Sequence, residues 1–287
     1  MSDSLEKIKE RILYLREKRP VYKEILDFYE KVVEKQESIK PILEVGPLNI
    51  RKDLIGMHLK EGFPLIDREE FPIDIPSSIK LFESLCRVGE DSTNKTRENV
   101  LSIELAIRRG SLDPEELLKR HSDETYLRET AEDLDIDEEV LGFFMHMSIQ
   151  PSINFNIVKL QSEIDLKNWT KGYCPVCGSL PQISELRGEG QRYYLCSFCG
   201  FKWRGERLKC PFCENSDHNS LHYFYAEDEE AYRVDLCNRC KQYIKTVDSR
   251  KLDFEPDLIL EDLTTLHLDI TAVQEGFKRP VPNPWGP

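Results

Sequence analysis

Four short stretches decide how this chain is read: Cys174-Pro-Val-Cys177, Cys196-Ser-Phe-Cys199, Cys210-Pro-Phe-Cys213 and Cys237-Asn-Arg-Cys240. They hold eight of its nine cysteines, and only Cys86 lies elsewhere. Two residues between cysteines let both sulfurs face one ion from a tight turn whose backbone N–H groups donate to thiolate, and two such knuckles complete a tetrahedron. Successive knuckles are separated by 18, 10 and 23 residues. The first and third intervals suit hairpins that join two knuckles, and the second suits a link between two ribbons. Cys-Pro-x-Cys opens both halves, and an aromatic follows each closing knuckle, at Trp203 and Tyr243, as a duplication would leave them. Sequential pairing puts Cys174, Cys177, Cys196 and Cys199 on one metal and Cys210, Cys213, Cys237 and Cys240 on a second. Interleaved pairing, first knuckle with third and second with fourth, is also compatible with the spacing.

Four sulfurs per ion leave no coordination position for water or substrate, so each site reads as structural or electron-transferring rather than hydrolytic. Zinc and iron both accept this donor set. A strand region of about 70 residues has little core of its own, so the metal contributes strongly to its folding. The N-terminus alternates charge with aliphatics and has no apolar leader, and no run of about 18 apolar residues occurs. The expectation is a cytoplasmic protein whose clustered cysteines bind metal instead of forming disulfides. No Ser-His-Asp pattern, phosphate loop or two-His-one-carboxylate arrangement stands out. His58, His121 and His146 are isolated and fit no ligand spacing. A non-enzymatic role is expected.

The region before the knuckles has a different texture. Leu5, Ile8, Ile12 and Leu15, then Tyr22, Ile25, Leu26, Tyr29, Val32 and Val33, recur at helical steps and predict a helical hairpin broken at Pro20. Ser2 or Ser4 is the expected cap of the first helix. Five prolines between 41 and 76 mark an irregular link. Helical periodicity then resumes, with Cys86 on an apolar face, Asn94 or Thr96 as a cap, Asp113-Pro114 as a helix start and Asp137 opening an apolar helix. The acidic run 129–139 reads as a solvated surface. The fold class expected is α+β, an all-α domain over 1–170 followed by two rubredoxin-like modules of short antiparallel strands. The modules span 171–205 and 206–250, and 251–287 is a tail or helix packing back on the body. The net charge of -13 and pI near 5.1 argue against a general nucleic-acid binder. A zinc-ribbon nucleic-acid module keeps one support, the locally basic stretch 187–209, and an iron-containing redox protein is a further alternative.

The residues around the knuckles resemble the formate dehydrogenase accessory protein (FdhE) family. The likeness runs through Tyr173–Ser179, through Tyr194–Cys199 with Trp203, Arg204 and Arg207, and through Lys209–Cys213 and Leu236–Lys245. It continues in Asp262–Asp269, Glu275-Gly-Phe277, Arg279 and Asn283-Pro284. It departs from the family at the short end, Pro284-Trp-Gly-Pro287. The resemblance implies a cytoplasmic, non-catalytic assembly factor that contacts the molybdenum-containing catalytic subunit of formate dehydrogenase. It implies the eight knuckle cysteines as ligands of two metal ions, iron or zinc. Trp203, Arg204 and Arg207 become candidate partner contacts, with Trp203 alternatively a packing cap.

Overall fold

The computed structural model describes residues 2–167, 169–281 and 283. The divergent end Pro284–Pro287 and the capping side chains expected at Ser2 and Ser4 lie outside the described residues. The helices run α1 (Ser2–Lys18), α2 (Lys23–Ile39), α3 (Ile55–Glu61), α4 (Ile75–Gly89), α5 (Asn94–Arg109), α6 (Pro114–Lys119), α7 (Glu124–Asp133) and α8 (Glu138–Glu163). Six strands follow: β1 (Pro181–Arg187), β2 (Gln191–Cys196), β3 (Lys202–Gly205), β4 (Leu221–Tyr225), β5 (Tyr232–Cys237) and β6 (Gln242–Asp248). Helices α9 (Leu258–Leu263) and α10 (Leu266–Gln274) come last. The chain forms two compact units, Met1–Leu48 with Arg68–Asn156, and Asn49–Asp67 with Ile157–Pro287. No described helix is long and apolar enough to cross a membrane.

The first unit is helical. Helices α1 and α2 form the expected hairpin, and α4 packs against α2, α5 and α6. Its core includes Leu26, Val32, Phe82, Leu85, Val100 and Phe144, with Cys86 buried as expected. Caps are local. Asp113 accepts from Glu115 N, and Asp137 from Glu139 N and Val140 N. The cap of α5 is Thr93, whose Oγ1 accepts from Thr96 N, just ahead of the two residues expected from sequence. Inside α8, Pro151 has no N–H to give Met147, the carbonyl one turn earlier. The buried side chain of Gln36 supplies the missing donor, with Nε2 2.8 Å from Met147 O, and also donates to Gln150 Oε1 at 3.0 Å. Gln36→Leu leaves that carbonyl unpaired, so urea unfolding should show a loss of about 1–3 kcal/mol.

The second unit is built on one six-stranded sheet in the order β3-β2-β1-β6-β5-β4. Each half supplies three strands joined by antiparallel pairings. With three strands per half, first and last point the same way. Because the two halves also run in the same direction, setting β1 of one against β6 of the other gives a parallel pair, Ser184–Leu186 beside Thr246–Asp248. The sequence led us to expect only antiparallel strands in two separate modules, so this parallel seam is a difference, produced by an odd strand count in halves that run the same way.

Alternation along the strands sorts the side chains. Tyr232, Val234, Leu236, Tyr243 and Val247 form a core with Leu258, Leu268, Ala272 and Phe277, which places α9 and α10 against the sheet. A buried ionic network fastens them. Lys245 Nζ lies 2.7 Å from Asp262 and 2.5 Å from Asp269, and Arg279 lies 2.7 Å and 3.1 Å from the same two carboxylates. Gln182 Nε2 donates to Asp262, and Tyr243 Oη to Asp269. Two cations meet two carboxylates, and Gln182 and Tyr243 add a donor to each, which lets the buried charges be tolerated. Burial alone would raise the Asp262 pKa, but Arg279 and Lys245 overcome it and hold the carboxyl well below its usual range. The stability this gives is complete above the ordinary carboxylate pKa and fades as the pH drops through the lowered value. Asp262→Asn should cost about 3–5 kcal/mol at neutral pH, and denaturant titrations should show the deficit shrinking below pH ~4.

Candidate metal centres

All four knuckles have the same backbone. The residue after the second cysteine has positive φ in every case: Gly178 at 75°, Gly200 at 70°, Glu214 at 57° and Lys241 at 57°. Its N–H returns to the carbonyl of the first cysteine, as in Gly178 N to Cys174 O at 2.9 Å and Lys241 N to Cys237 O at 2.8 Å. This left-handed residue closes the turn and aims both sulfurs to one side. Glycine takes that conformation freely, whereas Glu214 and Lys241 carry its cost.

Sulfurs from two knuckles then converge. Cys174, Cys177, Cys196 and Cys199 form one set and Cys210, Cys213, Cys237 and Cys240 the other, with all ligand atoms of a set within 4.8 Å. The pairing is thus sequential, and the interleaved alternative is set aside. Closest S···S separations are 3.4–3.7 Å in the first set and 3.7 Å in the second. A tetrahedron with metal–sulfur bonds of about 2.3 Å has edges of about 3.8 Å, whereas a disulfide would bring sulfurs to about 2.05 Å. The residues fit a metal ion in each set, and the donor chemistry suits zinc or iron equally.

Donors inside the turns serve the thiolates. Cys199 N points at Cys196 Sγ and Asn215 Nδ2 at Cys237 Sγ. In the first set, burial pushes the Cys174 and Cys199 thiols up, while hydrogen bonds from its three partners hold Cys177 down. Four thiolates this close and this dry need a cation to ionise together. In the second set, burial opposes ionisation of Cys237, but the backbone N–H groups of Cys240 and Arg239 and the Asn215 amide bring it down to about 7. Burial leaves Cys240 pushed up to about 11.

The two sets differ in cover. All four cysteines of the first are buried, whereas Cys213 and Cys240 of the second are partly exposed. The proline-rich segment before α4 makes the difference. Leu65 N and Ile66 N donate to Val176 O, Gly62 O accepts from Tyr173 Oη at 2.6 Å, and Pro64 sits against Gly178. A Cβ on Gly178 would stand 2.9 Å from the Pro64 ring, so here close approach adds to the preference for glycine that positive φ creates. What the sequence presented as a link is therefore a cover over the first knuckle.

The remaining expectations divide. Trp203 lies opposite Tyr194 in the β2–β3 pairing, with ring centroids 5.4 Å apart, and is 1% exposed. It takes the packing role and presents no surface to a partner, which corrects its place among the contact residues. Arg204 and Arg207 are exposed. The basic stretch 187–209 is not one basic surface, since Arg187 pairs with Glu185 and Arg192 is buried against Asp235. Asp262, Asp269 and Arg279, noted in sequence only as family-like residues, are the buried network described above.

Two family models match the same half of the chain: "FdhE, central domain" over residues 173–207 and "FdhE, C-terminal domain" over 208–285. They meet inside the link between the two cysteine sets. A protein of Aquifex aeolicus described as "Protein FdhE homolog" is 33% identical over 275 residues, 93% of this chain and 90% of that protein. The chain belongs to the FdhE family. Protein FdhE of Escherichia coli is 38% identical over 117 residues, 39% of this chain and 37% of that protein. The crystal structure of the FdhE protein from Pseudomonas aeruginosa has the same fold, with a TM-score of 0.67 at 21% identity over 99% of this chain and 96% of that one. For this FdhE chain, metal analysis after anaerobic purification should find two ions. A strong chelator should remove them in two phases, from the partly exposed Cys213/Cys240 set first. Loss of both at one rate, or of the covered set first, would contradict this account of the cover.

Proposed function

We propose that the chain is a cytoplasmic, non-catalytic assembly factor that binds the catalytic subunit of a molybdenum-dependent formate dehydrogenase and supports its maturation. One observation carries the reading: two closed four-sulfur sets lie within the segment that matches both FdhE domain models. Four sulfurs per ion suit rigid scaffolding or electron transfer and offer no place for substrate. In this reading zinc or iron holds the hairpin ends so that a folded surface meets the partner. Exposed Arg204, on β3, is the proposed contact, with Arg207 beside it.

Capture of the tagged protein from cells making the enzyme should retain the formate dehydrogenase catalytic subunit. Cys213→Ser with Cys240→Ser should abolish retention and remove one metal equivalent, and Arg204→Glu should weaken retention with both ions still bound. A catalytic subunit present in the lysate yet never retained would overturn the reading.

A further inference from the structure

The sheet face opposite α9 and α10 holds a cavity of about 420 Å³, within the size range of small-molecule sites. Strand alternation puts a polar floor there. Asp235 lines it, receiving Arg192 Nη2 at 2.8 Å on one oxygen and Arg233 Nη2 at 3.1 Å on the other. Thr246 Oγ1 also donates to Asp235 and is 2.6 Å from Ser184 Oγ. Arg192 is 3% exposed and Arg233 9%, and the Nε–H of each has no partner among the described residues. Two buried guanidiniums thus share one carboxylate and each keeps an unused donor, an arrangement that leaves positive charge in a dry site.

More positive charge converges on one side. The turn between β1 and β2 carries Gly190 with φ of 90°, and a Cβ there would lie 2.6 Å from Arg207 Nη1 and 3.0 Å from Arg250 Nη1. Arg250 is paired with Asp248, while Arg207 has no carboxylate partner among the described residues. The other lining cations, Lys209 and Lys251, are matched by Glu206 and Glu230. Four arginines therefore stand against two carboxylates, with Cys210 and Cys237 of the second cysteine set also in the wall, their thiolate charge offset in part by the ion that set would hold, in a chain whose net charge is -13. Like charges gathered this closely repel unless an anion joins them, and guanidinium forks match phosphate oxygens. Exposed Tyr223 and Tyr225 lie at the rim, with the Arg233 guanidinium 4.9 Å from the Tyr223 ring centroid.

We propose that this cavity binds a phosphate-bearing anion the size of pyrophosphate or a nucleoside diphosphate, held by Arg192, Arg207, Arg233 and Arg250. The depth of Arg192 and Arg233 favours a compact, multiply charged group over the spaced carboxylates of an acidic peptide. The site does not depend on the assignment to formate dehydrogenase assembly.

Calorimetric titration of the metal-loaded full chain with pyrophosphate and with ADP tests it, with metal content checked before and after. Saturable one-to-one binding that weakens with added salt is expected. Arg207→Ala with Arg250→Ala should weaken it at least about tenfold at unchanged metal content and thermal stability. Arg87→Ala with Arg97→Ala, in the helical unit, should leave it unaltered. ADP binding more tightly than pyrophosphate points to a nucleotide, and equal affinities point to an inorganic source. No saturable binding, affinity unchanged in the Arg207/Arg250 variant, or binding of oligoglutamate but not of pyrophosphate would overturn the proposal.

Discussion

The convergence of four sulfurs on one point governs the second unit. A metal–sulfur bond of about 2.3 Å tolerates little error, so the turn before β1 and the turn after β2 must come together, and the same holds around β4 and β5. The hairpins are long enough to have slid in register. Anchoring Cys196 opposite Pro181 and Cys237 opposite Leu221 and Gln242 removes that freedom. The parallel seam between β1 and β6 then makes a continuous sheet of two small ribbons, and because both halves run the same way, both metal sets lie at the same end of it.

A second constraint acts from the helical side of the sheet. Each half alone has too few apolar residues for a core, and α9 and α10 supply the rest. They are held by paired charges rather than apolar contact alone. Lys245 on β6 reaches Asp262 and Asp269 on the two helices, and Arg279 closes the circuit beyond them. The tail also bonds directly to the fourth knuckle, through Lys278 N to Lys241 O and Tyr243 N to Lys278 O. Metal binding, sheet register and helix docking therefore meet around residues 241–245.

The two cysteine sets were legible because metal chemistry demands a fixed local spacing, and the helical half because apolar periodicity is local too. The choice between sequential and interleaved pairing was not, since spacing permits both and only the folded hairpins decide. The cover over Gly178 was invisible for a similar reason: Gly62 and Tyr173 are far apart in the chain, and prolines announce irregularity without naming a partner. Trp203 was ambiguous because an aromatic after a knuckle can pack or protrude, and Tyr194 settles it. The alternation Tyr232-Arg-Val-Asp-Leu236 did hold a signal for the polar face, with charges at every second position of a strand whose other residues are apolar.

The parallel seam has one further consequence. Strand β6 is ordered by its own knuckle at one end and by β1 along its side, so it shields the first ribbon's inner edge from solvent. If the more accessible ion were lost and β6 peeled away, β1 would be left as an open strand with unpaired amides, and the vacated position would fit the β6 of another molecule. Pairing with β6 is thus what keeps β1 from being an open edge.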